Sequence, residues 1–149
     1  MSPKKIIFVC TGNTCRSPMA AAMAGAVLAE AGLTAEIFSA GTNAYEGQPA
    51  SRHAISVMEE GGLCLLSHRS ALVSDEMLKD ATLVLTMTVS HRDVLYSDYP
   101  RMRDVIFTLG EYAGNKLDVS DPFGGSQDEY RACAAQIKAM LLRAVEKLK

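Results

Sequence analysis

The chain has 149 residues, with 15 Lys and Arg against 17 Asp and Glu for a formal charge of −2, and 48% hydrophobic residues. Length and balance point to a single globular domain over 1–149. They offer no basic excess for a nucleic-acid backbone, and no apolar run nears the roughly 18–20 residues of a membrane span. The four cysteines, Cys10, Cys15, Cys64 and Cys133, are too few and too scattered for a secreted disulfide framework. The apolar run after Lys4-Lys5 is too short for a signal peptide, so a cytoplasmic protein with reduced thiols is expected.

In chain order, Lys4–Cys10 reads as a strand buried on both faces, because apolar residues follow one another without alternation. Pro18–Ala31 reads as an alanine-rich helix with Pro at its first position and Gly32 just past its end. A strand is expected at Glu36–Ala40 and a helix at Ala50–Glu60, stopped by Gly61-Gly62. Ser74–Lys79 makes a short helix, Leu83–Met87 a third strand, and Ser90–Tyr96 a helix that ends near Pro100. Val105–Leu109 makes a fourth strand and Gln127–Leu148 a long amphipathic closing helix. The alternation predicts an α/β fold with a mostly parallel sheet and right-handed crossovers. Ligands of such sheets sit at the carboxyl ends of the strands, which directs attention to the loop after the first strand.

That loop reads Cys10-Thr11-Gly12-Asn13-Thr14-Cys15-Arg16-Ser17-Pro18. Gly12 and Asn13 tolerate left-handed conformations, which lets successive N–H groups turn inward as an anion-binding nest. The helix start at Ser17-Pro18 adds unpaired N–H groups and the positive end of the helix dipole. Arg16 supplies a planar fork for two phosphate oxygens. A thiol among so many positive partial charges is expected to ionise readily, with the Ser17 hydroxyl donating to the thiolate. The loop therefore reads as an oxyanion cradle with Cys10 as a nucleophile at its floor.

The string VCTGNTCRSPMA resembles the low-molecular-weight protein tyrosine phosphatase family, and the resemblance extends across essentially the whole chain. It takes in Ser39-Ala40-Gly41-Thr42, Ser67-His68-Arg69-Ser70 and Asp121-Pro122-Phe123-Gly124-Gly125-Ser126. It implies a three-layer α/β/α fold with a central four-stranded parallel sheet, no cofactor and no metal. Asp121 matches the family's general acid, presented by a loop that Pro122 stiffens. The implied catalytic residues are Cys10, Arg16 and Asp121. Thr11, Gly12, Asn13, Thr14, Cys15, Ser17 and Phe123 are expected to contact substrate, and Ser39 and His68 to support the loop together with Asn13 and Ser17. A monomer acting on phosphorylated proteins, with no nucleic-acid or membrane partner, is the expectation.

Within the family, TGNTCRS resembles the protein-arginine-phosphatase branch, where the position of Thr14 is the implied selectivity element and tyrosine-specific relatives carry a bulky aliphatic. A hydroxyl on the pocket wall accommodates the N–H groups of a phosphoarginine, which an aliphatic would leave unpaired at roughly 1–3 kcal/mol. Tyrosine phosphatases of this type commonly carry two aromatics after Asp-Pro, whereas here only Phe123 precedes Gly124-Gly125. Thr88, where tyrosine-specific relatives often place Asp, points the same way. Aromatic residues make up 6% of the chain and Trp is absent, which leaves Tyr45 as a candidate for the opposite wall. The expected function is dephosphorylation of phosphoarginine through a phosphocysteine, with phosphotyrosine as the alternative substrate. An arsenate reductase would need a resolving cysteine pair near residues 80–90, and none exists; a catalytically silent module would lack Cys10, Arg16 or Asp121.

Ala21 stands where the family usually has Glu, with a small effect expected on local support. Zinc binding by Cys10, Cys15, Cys64 and His68 is disfavoured because no second cysteine pair follows. Cys15 is either a passive small residue or an oxidative partner of Cys10. Cys64 and Cys133 are expected in the core, and His53 and His91 on the surface. The basic residues of the last helix should form a solvated face, and the eight methionines should fill core.

Overall fold

A computed structural model describes residues 4–149. Its centre is a four-stranded parallel sheet of β1 (Lys4–Cys10), β2 (Ala35–Gly41), β3 (Leu83–Thr86) and β4 (Ile106–Thr108), in the order β2-β1-β3-β4. Side chains of β1 alternate between two apolar layers, as the pleat requires. Ile6 and Phe8 pack against α1 (Arg16–Glu30), α2 (Arg52–Glu60) and α6 (Gln127–Leu148) through Met19, Met23, Met58, Ile137 and Met140. Ile7 and Val9 pack on the other face with Leu78 of α3 (Asp75–Leu78) and Leu95 of α4 (Val89–Asp98). Both faces of the sheet are covered, which is why β1 reads as an unbroken apolar run. The chain leaves β1 to one side for β2 and returns on the other side to β3. The carboxyl end of β1, occupied by Cys10, is therefore the topological switch point.

Local departures from the sequence reading have plain causes. Helix α1 begins at Arg16, so Pro18 is its third residue rather than its first. The N–H groups of a helix's first turn have no intrahelical acceptor, so proline is tolerated there. The first i to i−4 bond runs from Met19 N to Cys15 O at 3.2 Å. Helix α2 starts after Ser51, whose hydroxyl accepts from Ala54 N, two residues later than expected. A 3-10 helix at Pro100–Val105 and α5 (Leu109–Ala113) were not legible in the sequence. Thr108 and Glu111 form a reciprocal cap on α5, which cuts the predicted fourth strand short.

Three side chains correct expectations. Cys64 is exposed, on the turn after α2, whereas Cys133 is buried with its Sγ directed at Ser120 O at 3.7 Å. Burial pushes the Cys133 thiol up to about 12. His91 is buried, because its place in the first turn of α4 folds the ring back toward the loop after β1. His53 is half-buried, its ring 5.3 Å from that of Tyr130. The basic residues of α6 do face outward, and Arg131 pairs with Glu60 and Asp128.

Two glycines permit close approaches that shape the region around Cys10. A Cβ on Gly41, the residue paired with Cys10 in the β1–β2 register, would lie 2.2 Å from the Thr11 carbonyl oxygen. A Cβ on Gly110 would lie 2.1 Å from Leu117 O, in the segment that leads to Asp121. By contrast, nothing lies within 4 Å of a Cβ built on Gly25 in α1. Gly41→Ala should destabilise the protein by about 1–3 kcal/mol through backbone displacement. Gly25→Ala should stabilise it by about 0.5–1 kcal/mol. Urea denaturation of the two variants beside the wild type checks both signs.

Candidate active site

The loop after β1 is held open from outside. The Cys10 carbonyl accepts from Thr42 N (2.9 Å), that of Thr11 from Asn43 N (3.0 Å), and that of Thr14 from Ser51 N (2.9 Å). The Asn13 carbonyl meets His68 Nε2 at 2.7 Å, and since a carbonyl can only accept, the ring nitrogen is the donor. In a trans peptide the N–H points opposite to the carbonyl that precedes it. With four carbonyls turned outward, the N–H groups of Thr11, Gly12, Thr14 and Cys15 turn toward the cavity. Of the two residues expected in the left-handed region, Asn13 alone is found there, at φ 58.

Asn13 is fully buried and spends its whole side chain on the loop. Oδ1 accepts from Ala71 N at 2.9 Å, while Nδ2 donates to Ser17 Oγ at 2.8 Å and Ser39 Oγ at 2.9 Å. The structure thus brings Asn13, Ser17, Ser39 and His68 into one network. Ser17 Oγ lies 2.9 Å from Cys10 Sγ and 3.4 Å from Ala40 O. One of its lone pairs already receives Asn13, so its proton is free to point at the sulfur. Cys10 itself is 3% exposed, at the floor of the cavity.

Arg16 is the first residue of α1 and is buried. Nη1 donates to Val119 O at 2.9 Å, and Nη2 lies 3.6 Å from Asp121 Oδ2. A single guanidinium therefore joins the loop after β1 to the segment carrying Asp121. That segment is anchored upstream by Val119 N to Met87 O at 2.9 Å and by Val89 N to Asp118 Oδ1 at 3.0 Å. Asp121 Oδ1 accepts from Phe123 N at 3.0 Å, and the Asp121 side chain remains half exposed. Cys10 to Arg16, Asp121 and Phe123 together line a cavity of about 220 Å³.

Tyr45, expected as an opposite wall, points away: it is 82% exposed and does not line the cavity. Its loop is held otherwise, by the Ser70 hydroxyl donating to the Tyr45 carbonyl. Phe123 is at the rim, 74% exposed, and is the lone ring along the wall. Cys15 is buried with a free thiol whose Sγ lies 3.2 Å from the Tyr130 hydroxyl and 3.6 Å from Ser51 Oγ. Burial, reinforced by Cys15, pushes the Tyr130 hydroxyl up to about 12. Tyr130, Ser51 and His91 were missed in the sequence. Tyr130 and Ser51 gave no motif, and His91 gave only its spacing three residues after the capping Thr88. Among the described residues no group of three or more His, Cys, Asp or Glu is placed to hold a metal, and no helix is long and apolar enough to cross a membrane.

A buried thiol beneath inward-facing amides, a buried guanidinium lining the same cavity and a carboxylate beside it can bind a tetrahedral oxyanion and transfer it to sulfur. Residues 5–149 match the family description low molecular weight phosphotyrosine protein phosphatase, and the chain belongs to that family. It is 43% identical to the protein-arginine-phosphatase of Geobacillus stearothermophilus over 98% of this chain and 97% of that one. It is 41% identical to the low molecular weight protein-tyrosine-phosphatase PtpB of Staphylococcus epidermidis, over 89% and 91% of the two chains. Among solved structures, YwlE arginine phosphatase in a mutant form with a phosphorylated active-site serine superposes with a TM-score of 0.93 at 39% identity, covering 97% of this chain and 95% of that chain.

The histidines of the site couple it to pH. Burial first, and then the Arg16 guanidinium, lower His91 from 6.5 to about 4, against an upward pull from Asp118 and Asp121. His68 shifts the same way through burial, opposed by its bond to Asn13. A histidine lowered in the folded state is neutral there and takes up its proton preferentially on unfolding. Its contribution is complete above about pH 6.5 and is lost as the pH falls from 6.5 toward 4, by about 3 kcal/mol for His91. Unfolding free energies of wild type and His91→Gln should therefore converge between pH 7 and pH 4, with the wild type showing the steeper decline.

Proposed function

We propose that this protein is a protein-arginine phosphatase that works through a phosphocysteine. Cys10 Sγ attacks phosphorus in line, and the bond from phosphorus to the guanidino nitrogen breaks. Asp121, which lines the same cavity, gives its proton to the departing nitrogen. The inward-facing amides and Arg16 hold the equatorial oxygens, where charge is spread in the transition state. Water then attacks phosphorus, its proton passes to Asp121, and the S–P bond breaks to release inorganic phosphate. Ser17 donates to the departing sulfur. The chemistry calls on no metal or cofactor, since the cradle itself supplies the positive potential. The whole chain serves as one catalytic domain.

The observation that carries the arginine reading is the wall of the cavity. Thr14, a hydroxyl-bearing residue, lines it, and Phe123 at the rim offers one exposed ring instead of an aromatic slot. A guanidino group brings N–H donors that need acceptors on such a wall, whereas a phenol brings an apolar face that needs rings. The Geobacillus relative's name agrees, and the YwlE mutant with a phosphorylated active-site serine supports a covalent intermediate at the nucleophile's position. The PtpB relative keeps phosphotyrosine as the competing substrate.

Cys10→Ser should abolish hydrolysis of p-nitrophenyl phosphate, and Arg16→Ala should slow it by about 10²–10³-fold. Asp121→Asn should slow turnover of substrates with poor leaving groups more than of p-nitrophenyl phosphate. The substrate assignment is decided by the ratio of kcat/KM for a phosphoarginine protein to that for a phosphotyrosine peptide. It should exceed one in the wild type and fall about tenfold or more in Thr14→Ile. A wild-type preference for phosphotyrosine would refute it.

A further inference from the structure

Phosphoryl transfer as described leaves the buried His91 side chain beside the cavity unused. His91 is 5% exposed and stands between two hydroxyls. Its Nδ1 is 2.9 Å from Thr88 Oγ1, and its Nε2 is 2.7 Å from Thr11 Oγ1. Thr11 follows the nucleophile directly and lines the cavity. Thr88 is the cap of α4, its Oγ1 accepting the His91 backbone N–H at 3.2 Å, and its carbonyl accepts from Thr86 Oγ1 at 2.9 Å. The ring is neutral near pH 7, since burial and the Arg16 guanidinium outweigh Asp118 and Asp121. A neutral imidazole has one donor and one acceptor nitrogen, so the chain of hydroxyl, ring and hydroxyl must run in one direction or the other.

Proton accounting selects the direction. Thr88 Oγ1 already receives the backbone N–H that caps the helix. If Nδ1 carried the ring proton, Thr88 Oγ1 would receive that as well, and the half-buried Thr88 hydroxyl would keep a proton without an acceptor, whereas Thr11 at the other end of the chain is exposed. If instead Thr88 donates to Nδ1, its own proton is used and the surplus donor moves to the exposed end of the chain. Nε2–H then donates to Thr11 Oγ1, and the Thr11 hydroxyl proton is the one left over, on the wall of an anion cavity.

We propose that His91 is a positioning residue that orders the Thr11 hydroxyl as a side-chain donor to the bound phosphoryl group. The proposal rests on the phosphate-cradle reading of the loop but not on the identity of the phosphorylated residue. The other carbonyls and turns of the loop are fixed by backbone groups and by Asn13, Ser51 and His68. The Thr11 hydroxyl is fixed by His91, and the same turn of α4 holds the root of the Asp121 segment through Val89 N and Asp118. A glutamine at 91 can place an amide N–H near the position of Nε2, whereas a leucine fills the space without a polar group.

The test is a double-mutant cycle on Thr11→Val and His91→Leu with His91→Gln as the conservative variant. It is read as the Kd for inorganic phosphate by calorimetry and as kcat and KM for p-nitrophenyl phosphate. Each single change should weaken phosphate binding and lower kcat/KM by about tenfold, with the double variant no worse than either and His91→Gln recovering most of the loss. Multiplying effects, or wild-type phosphate affinity in His91→Leu, would overturn the proposal. Should His91→Leu fail to fold, the pair Thr11→Val and Thr11→Val with His91→Gln carries the same comparison. Nitrogen-15 correlation spectra should show His91 protonated at Nε2; a proton at Nδ1 refutes the direction. If phosphate binds as stated but Cys10-dependent hydrolysis is absent, the catalytic reading fails while this one stands. If phosphate does not bind at all, both fail.

Discussion

The site depends on where the backbone carbonyls of one short loop find their partners. Four carbonyls between Cys10 and Thr14 are engaged from outside, by the chain after β2, by the first residue before α2 and by His68. Peptide planarity then turns the opposite N–H groups inward. An anion site of this kind needs no surplus of basic residues, so a chain with a net charge of −2 can hold phosphate in a single cavity. The surrounding fold serves this one arrangement: the sheet order puts Cys10 at the switch point, and the glycine at 41 lets β2 approach closely enough to reach the Thr11 carbonyl.

Arg16 carries the second dependence. It opens α1, lines the cavity and reaches Val119 O and Asp121 at once. The loop after β1 and the carboxylate segment lie more than a hundred residues apart in sequence, yet one buried guanidinium bridges them. That placement is possible because Pro18 sits third in the helix, where its missing N–H removes nothing, so that Arg16 is already helical.

Much of this was legible in the residues. The unbroken apolar run of β1, the alternation of strands and helices, and the Cys-to-Arg spacing pointed to the fold and to residues that line one cavity, because each rests on local rules. Asn13, Ser39 and His68 were legible only through family resemblance, since nothing local says that residues 26 and 55 positions apart share a network. The misses have tertiary causes. His91 looks like a surface histidine on a helix of low amphipathicity, and its burial follows from how α4 docks on β3 and β4, which folds its first turn toward Thr11. Helix α5 is five residues long, too short for a periodic pattern, and is held by a cap that interrupts a β-branched run. Cys64 reads as an apolar residue between leucines, but the turn after α2 faces it to solvent.

The Ser17 hydroxyl has two acceptors on its doorstep, the sulfur at 2.9 Å and the Ala40 carbonyl at 3.4 Å. On the proposed route the sulfur comes to bear a phosphoryl group and becomes a poor acceptor, and a hydroxyl with a single partner would be stranded in the interior at a penalty of about 1–3 kcal/mol. Rotation about one side-chain torsion hands the proton to Ala40 instead. The resting and phosphorylated states can then share one backbone, with the difference between them absorbed by a single rotor.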